Sequence, residues 1–191
     1  MKNPFVLSFM MITLAAIIIS GCKSTQKNIP PPAGEKEVVV PCSGPDFFTT
    51  KEVFRANSVG ESMDQVTSKK KAATNARNEL AQAIQTTVKT VTDNYTNSRE
   101  MNRKEELEQK FESLNREVVD QTLTGVRTIC EKLVQTKEGN YKTYLAIELS
   151  ADDLVKKYNE RMSTDDKLKI DYDYQKFKET FDKEMEKMGK N

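Results

Sequence analysis

The sequence predicts an α+β domain: a small antiparallel sheet built as strand, long helix, β-hairpin and helix, with helices packed on one face and an additional C-terminal helix. Three observations predict it. Residues 52–60, "EVFRANSVG", alternate apolar and polar side chains at the two-residue period of a strand. Residues 62–95 repeat apolar side chains at steps of three and four, the period of a helix. Two β-rich runs, 121–135 and 141–149, flank Gly139-Asn140 and predict an antiparallel hairpin.

Along the chain, "EVVVPC" at 37–42 is a short β-branched run that assigns Cys42 to a strand, and "SGPD" then breaks it. In the strand at 52–60, Val53, Arg55, Asn57 and Val59 share one side, Phe54, Ala56 and Ser58 the other, and Gly60 ends it. The long helix carries a narrow apolar stripe of Ala73, Ala76, Leu80, Ile84, Val88, Val91 and Tyr95, with Ser62 or Asp64 as N-cap. Small residues allow a close approach, so Ala73 and Ala76 are expected against the sheet.

Helix propensity falls at "TDNYTNSRE", and a second helical pattern runs through Leu107, Phe111, Leu114 and Val118. One kinked helix and two helices joined by a turn both fit that pattern. In the hairpin, Tyr141, Thr143, Leu145, Ile147 and Leu149 share a face that should be buried, while the face of Cys130 depends on the turn length. Ser150-Ala-Asp-Asp153 has the form of a capping box with Asp in place of Glu, opening a helix through Leu154, Val155, Tyr158 and Met162. Phe177, Phe181, Met185 and Met188 form a last stripe, expected to pack on the domain, with a partner-binding role as the alternative.

The N-terminus sets an expected address. Lys2, the apolar stretch Phe5 to Ile19 and the small residues Ser20 and Gly21 follow the order of a secretory signal peptide, shorter than the about 20 apolar residues of a membrane span. Ile19-Ser20-Gly21-Cys22 resembles the lipobox of bacterial lipoproteins, which implies cleavage before Cys22 and lipidation of that residue. Two or three acyl chains would anchor stably, since each buried methylene contributes ~0.8 kcal/mol. Lys23 stands where an aspartate would cause inner-membrane retention, so the resemblance implies an outer-membrane lipoprotein, on the periplasmic face in preference to the cell surface. The expected divisions are a signal peptide at 1–21, a lipidated tether with Pro30-Pro31-Pro32 at 22–37, the domain at 38–162 and a charged helical tail at 163–191.

Composition narrows the chemistry. With 30 basic and 29 acidic residues there is no electrostatic footprint for nucleic acid, and Lys69-Lys70-Lys71 reads as a solvated helix face. The chain has no histidine, which removes Ser-His-Asp catalysis and every histidine-containing zinc site. Glycine-rich nucleotide loops and the nucleophile elbow are missing too. No cofactor or metal is expected. With Cys22 lipidated, Cys42 and Cys130 remain, and in an exported chain they predict a disulfide, the alternative being two buried thiols. Acidic pairs such as Asp152/Asp153 and Asp165/Asp166 are expected to cap helix starts, not to act as acid and base.

The residues Phe54-Arg-Ala-x-x-x-Val-Gly60, Ala76-Arg77, Leu123-x-Gly-Val-Arg127 and Tyr141-x-Thr-Tyr-x-Ala-Ile-Glu148 resemble the Lpp-twenty lipoprotein family, over roughly residues 45–160. Related domains occur in a flagellar T-ring assembly protein. The resemblance implies the same order of elements and no catalytic residues. The resulting expectation is a non-catalytic, lipid-anchored envelope protein that docks onto an outer-membrane assembly. Its partners would be the membrane, through the anchor, and an envelope protein. The alternatives are a periplasmic carrier of a small apolar ligand and a carboxylate-based hydrolase.

Overall fold

A computed structural model of the chain describes residues 34–36, 38–98, 104–165, 169 and 172–189. The chain divides into two units, Met1–Val38 and Val39–Asn191. In the first, the described residues form a turn at Gly34 and irregular backbone. The expected signal peptide, lipobox and Cys22 lie outside the described residues.

The second unit is the predicted α+β fold. Strands β1 (Val53–Ser62), β2 (Arg127–Gln135) and β3 (Tyr141–Ser150) form one antiparallel sheet in the order β1-β3-β2. Helices α1 (Gln65–Asn97), α2 (Lys104–Thr122), α3 (Ala151–Thr164) and α4 (Tyr174–Met188) complete it. On β1 the alternation places Phe54 and Ala56 in the core, as the period of two requires. On β3, Thr143, Leu145, Ile147 and Leu149 are buried on the same side of the sheet.

Gly60 does not end β1, which continues to Ser62. Its role is proximity. A Cβ built there would lie 2.3 Å from the carbonyl oxygen of Ser68 and 2.5 Å from the backbone nitrogen of Ala72. Glycine within a strand marks such a close backbone approach. Hydrogen bonds fix the contact: the Ser58 hydroxyl donates to the Ala72 carbonyl at 2.6 Å, and the Ser68 hydroxyl to the Gly60 carbonyl at 2.9 Å. Ser68 also shares a hydrogen bond with the Thr143 hydroxyl at 2.8 Å, joining α1 to β3.

Helix α1 starts at Asp64, whose carboxylate accepts from the Thr67 N–H at 2.7 Å. Its sheet-facing row is Ser68, Ala72 and Ala76, continuing through Leu80, Ile84, Val88, Val91 and Tyr95. Ala73 was expected in that row, but it is only partly buried, because the four-residue row from Ser68 passes through Ala72. The second helical pattern is a separate helix. Tyr95 and Phe111 have ring centroids 6.1 Å apart, whereas sixteen residues of straight helix would separate them by ~24 Å.

The hairpin begins later than its β-rich composition predicts. Residues 121 and 122 end α2, Leu123–Gly125 form a single 3-10 turn, and β2 starts at Arg127. Tertiary contacts override strand propensity here: Thr122 is buried and its hydroxyl donates to the Val118 carbonyl, while Leu123 and Val126 pack on the core. The strand expected at 37–42 is also not found among its described residues, 38–42. Val38–Val40 are irregular, and Pro41 and Cys42 occupy a turn in which Cys42 has φ 56°. Proline cannot donate to a ladder and this φ is not extended, so the run cannot join the sheet as a strand.

Ser150 caps α3, accepting from the Asp153 N–H at 3.3 Å, and the helix buries Leu154, Val155, Tyr158 and Met162. Helix α4 lies in the region read as a tail, yet Phe177, Phe181 and Met185 are buried in the same core cluster as β1 and α1. Phe177 sits at its centre, with ring centroids 5.7 Å from Tyr95, 6.1 Å from Phe111 and 5.6 Å from Tyr158. The Tyr95 hydroxyl accepts from the Asp173 N–H at 2.8 Å, which places the start of α4.

Candidate functional surface

The helices pack against one face of the sheet, which leaves its other face and its edges clear of helices. Each β1 residue in register with β3 presents its side chain to the same face. Glu148 on the central strand is the cross-strand neighbour of both Arg55 and Arg127. The Arg55 Nε donates to Glu148 Oε2 at 3.1 Å, and Arg127 Nη2 to Glu148 Oε1 at 2.8 Å. The Glu148 side chain is 12% exposed and that of Arg127 72%, so the carboxylate is held inside the ladder and Arg127 closes it from solvent.

The same Arg55 holds the segment that leads into β1. Its Nη1 donates to the carbonyls of Asp46 and Phe48 at 3.2 and 3.3 Å, and its backbone N–H donates to the Thr49 hydroxyl at 3.0 Å. Residues 42–50 therefore form a strap across this outer face. At the far end of the strap Cys42 is joined to Cys130 by a disulfide, with Cα atoms 5.6 Å apart and a sequence separation of 88. The Cys42 sulfur lies 3.7 Å from the Tyr144 carbonyl oxygen. Cys130 pairs with Ala146 beside a register shift in β2, so a bulge sets which way it points.

The two sheet edges differ. On β1, the Val59 carbonyl accepts from Asn75 and the Glu61 carbonyl from Lys71, at 3.4 and 3.1 Å, while Thr49 bonds Arg55. On β2, no other strand pairs with the outer side among the described residues, and the strand is exposed along nearly all its length. Ile129, Leu133 and Val134 are 36, 43 and 42% exposed. Lys69 on α1 reaches Glu131 of β2 at 2.8 Å, part of the lysine run acting as a surface ion-pair partner. At the hairpin end, Glu61 accepts from Asn140 at 3.0 Å and pairs with Lys142 at 3.2 Å; the Asn140 bond chiefly holds its carboxyl below the usual range.

The acidic pairs are dispersed. Asp152 and Asp153 are exposed in the first turn of α3, where negative charge meets the helix dipole favourably. Asp165 was expected at a helix start but lies at the C-terminal end of α3, where it accepts from Lys110 at 2.6 Å; Asp166 lies outside the described residues. The Tyr158 hydroxyl donates to Asn115, and burial pushes its pKa up. Among the described residues no group of three or more His, Cys, Asp or Glu is arranged to hold a metal ion, and no helix is long and apolar enough to cross a membrane. Between α1 and α4 a groove of 480 Å3 is lined by Glu79, Ala83, Thr86, Thr87 and Met188, on the surface and not between helix and sheet.

Arg55, Arg127 and Glu148 carried no assigned role in the sequence reading. Their signal is opposite charge at facing positions of neighbouring strands, visible once register is known. No protein-family model, curated protein or solved structure matches the chain.

Proposed function

We propose that this chain is a non-catalytic, lipid-anchored protein of the cell envelope that docks onto a protein assembly at the outer membrane. The observation that carries the docking role is the β2 edge. It offers a row of backbone donors and acceptors, flanked by exposed Ile129, Leu133 and Val134, to an extended segment of a partner. Strand addition uses such a surface: main-chain hydrogen bonds give affinity and alternate side chains give specificity. An edge left open in this way is otherwise an aggregation liability, and the ionic pair Lys69–Glu131 is a partial guard beside it. The anchor rests on Ile19-Ser20-Gly21-Cys22, and the kinship with Lpp-twenty lipoproteins on the motifs quoted above.

The carrier alternative is weakened by how α1 meets the sheet: Gly60 touches backbone atoms of α1, and Ala72 and Ala76 are fully buried, which leaves little room for a ligand. The hydrolase alternative is weakened by carboxylates that are capping or ion-paired.

Metabolic labelling with a radiolabelled fatty acid tests the anchor. The wild-type chain should incorporate label and fractionate with the outer membrane, and Cys22→Ala should do neither. A Cys22→Ala chain that is still labelled and still in that fraction would refute the proposed address.

A further inference from the structure

We propose that the Cys42–Cys130 disulfide is a redox-released clasp: its reduction frees residues 39–44 from the outer face of the sheet and uncovers Ala146 and Tyr144, while the helix-backed core stays folded. Ala146 points away from the helices, since its neighbours Leu145 and Ile147 are the ones in the helix-side core. It is nonetheless fully buried, and Cys42 is 5% exposed. Beside it lies the disulfide, with Cys130 in register with Ala146 and the Cys42 sulfur 3.7 Å from the Tyr144 carbonyl oxygen.

The strap is fixed very differently at its two ends. Near β1, Arg55 and Thr49 hold residues 46–49 through several hydrogen bonds. Near β2, the disulfide is the fastening. Between them lies Gly44, with φ 99° and nothing within 4 Å of a would-be Cβ; its carbonyl accepts from the Phe47 N–H at 2.9 Å, so rotation about its φ would move the preceding residues and leave the turn at 45–48 in place. Cys42 itself sits at φ 56°, a region disfavoured for residues with a Cβ, so opening relaxes its backbone. On the other side Cys130 belongs to the exposed edge strand β2, next to the bulge at Ile129. The bridge thus ties two peripheral segments together, neither belonging to the core cluster.

The chemistry is thiol–disulfide exchange with a dithiol reductant. One reductant thiolate attacks one sulfur of the bridge and forms a mixed disulfide; the second displaces the remaining chain sulfur. Two electrons pass to the chain, the bridge becomes two thiols after protonation, and the reductant leaves as its own disulfide.

Hydrogen exchange by mass spectrometry on the purified full chain, oxidised and after treatment with dithiothreitol, tests this under native conditions. Amides of residues 39–44 and 128–132 should exchange about tenfold faster after reduction, while those of 46–49 keep their protection. Both thiols should alkylate without denaturant, and the helical circular dichroism should persist. Cys42→Ser and, separately, Cys130→Ser should show the open exchange pattern without reductant and no response to it. A reduced chain whose strap stays protected, with unreactive thiols, would overturn the proposal, because the bridge would then be a static staple. Loss of helical signal on reduction would overturn it too, because the bridge would then be part of the core.

Discussion

Gly60 and Ala72 stand so close that no side chain fits between them: a Cβ at Gly60 would lie 2.5 Å from the Ala72 backbone nitrogen. The obstacle is backbone, which cannot swing aside. Gly60→Ala should therefore push α1 off the sheet and cost at least about 1–3 kcal/mol, seen as a lowered melting temperature. Gly189→Ala is the control, since its nearest neighbour would be 3.4 Å away. Equal melting of both variants would mean that α1 is not seated on β1 as described.

Ala76, fully buried in the same row, extends the test. Ala76→Leu should overpack the contact and cost about 1–3 kcal/mol, whereas Ala73→Leu, partly buried, should cost less.

That distinction shows what the sequence carried. Periodicity placed the strand, the long helix, the hairpin and the last stripe, because a strand alternates and a helix repeats at 3.6 residues whatever surrounds it. It could not separate Ala72 from Ala73, since two adjacent alanines fit the stripe equally and the choice is made by the close approach at Gly60. β-rich composition misleads at residues 121–126 and 38–42, where a buried Thr122 and the turn at Pro41-Cys42 override β propensity. The two cysteines were legible as a pair, but their placement on a strap and a bulge depends on register. So does the ladder of Arg55, Glu148 and Arg127, whose members lie far apart in sequence and meet only when β3 is seated between β1 and β2.

Within the ladder, the residues should differ in weight. Glu148→Ala leaves two guanidinium groups facing each other and should cost about 1.5–3 kcal/mol, the range for hydrogen bonds to charged groups. Arg127→Ala should cost ~0–1 kcal/mol, because its side chain is 72% exposed and solvent screens the pair. Chemical denaturation of both variants checks the order.

Phe177 joins the aromatic rings of α1, α2 and α3. Phe177→Ala should cost about 3–5 kcal/mol, and deleting residues 172–191 should lower stability further because Phe181 and Met185 go with it. A truncated chain that melts like the wild type would show that α4 contributes nothing to the core.

Glu61 gives a pH signature. Its bond from Asn140 and its pairing with Lys142 hold its carboxyl below the usual range. A folded pKa below the unfolded value means the stabilisation is complete above the unfolded pKa, about 4.3 for glutamate, and is lost as pH falls through the folded pKa. Glu61→Gln should therefore melt below the wild type at pH 6–7, with the gap closing towards pH 3. A gap independent of pH would assign the loss to something other than the charge.

Docking through the β2 edge by an anchored chain is tested most directly by a photo-crosslinking residue placed in living cells at Leu133, with Lys89 on the exposed side of α1 as the control position. A probe at Leu133 should give a discrete protein adduct that disappears when Cys22→Ala is introduced, and a probe at Lys89 should give none. An adduct at Lys89 with none at Leu133, or a Leu133 adduct unaffected by Cys22→Ala, would contradict it.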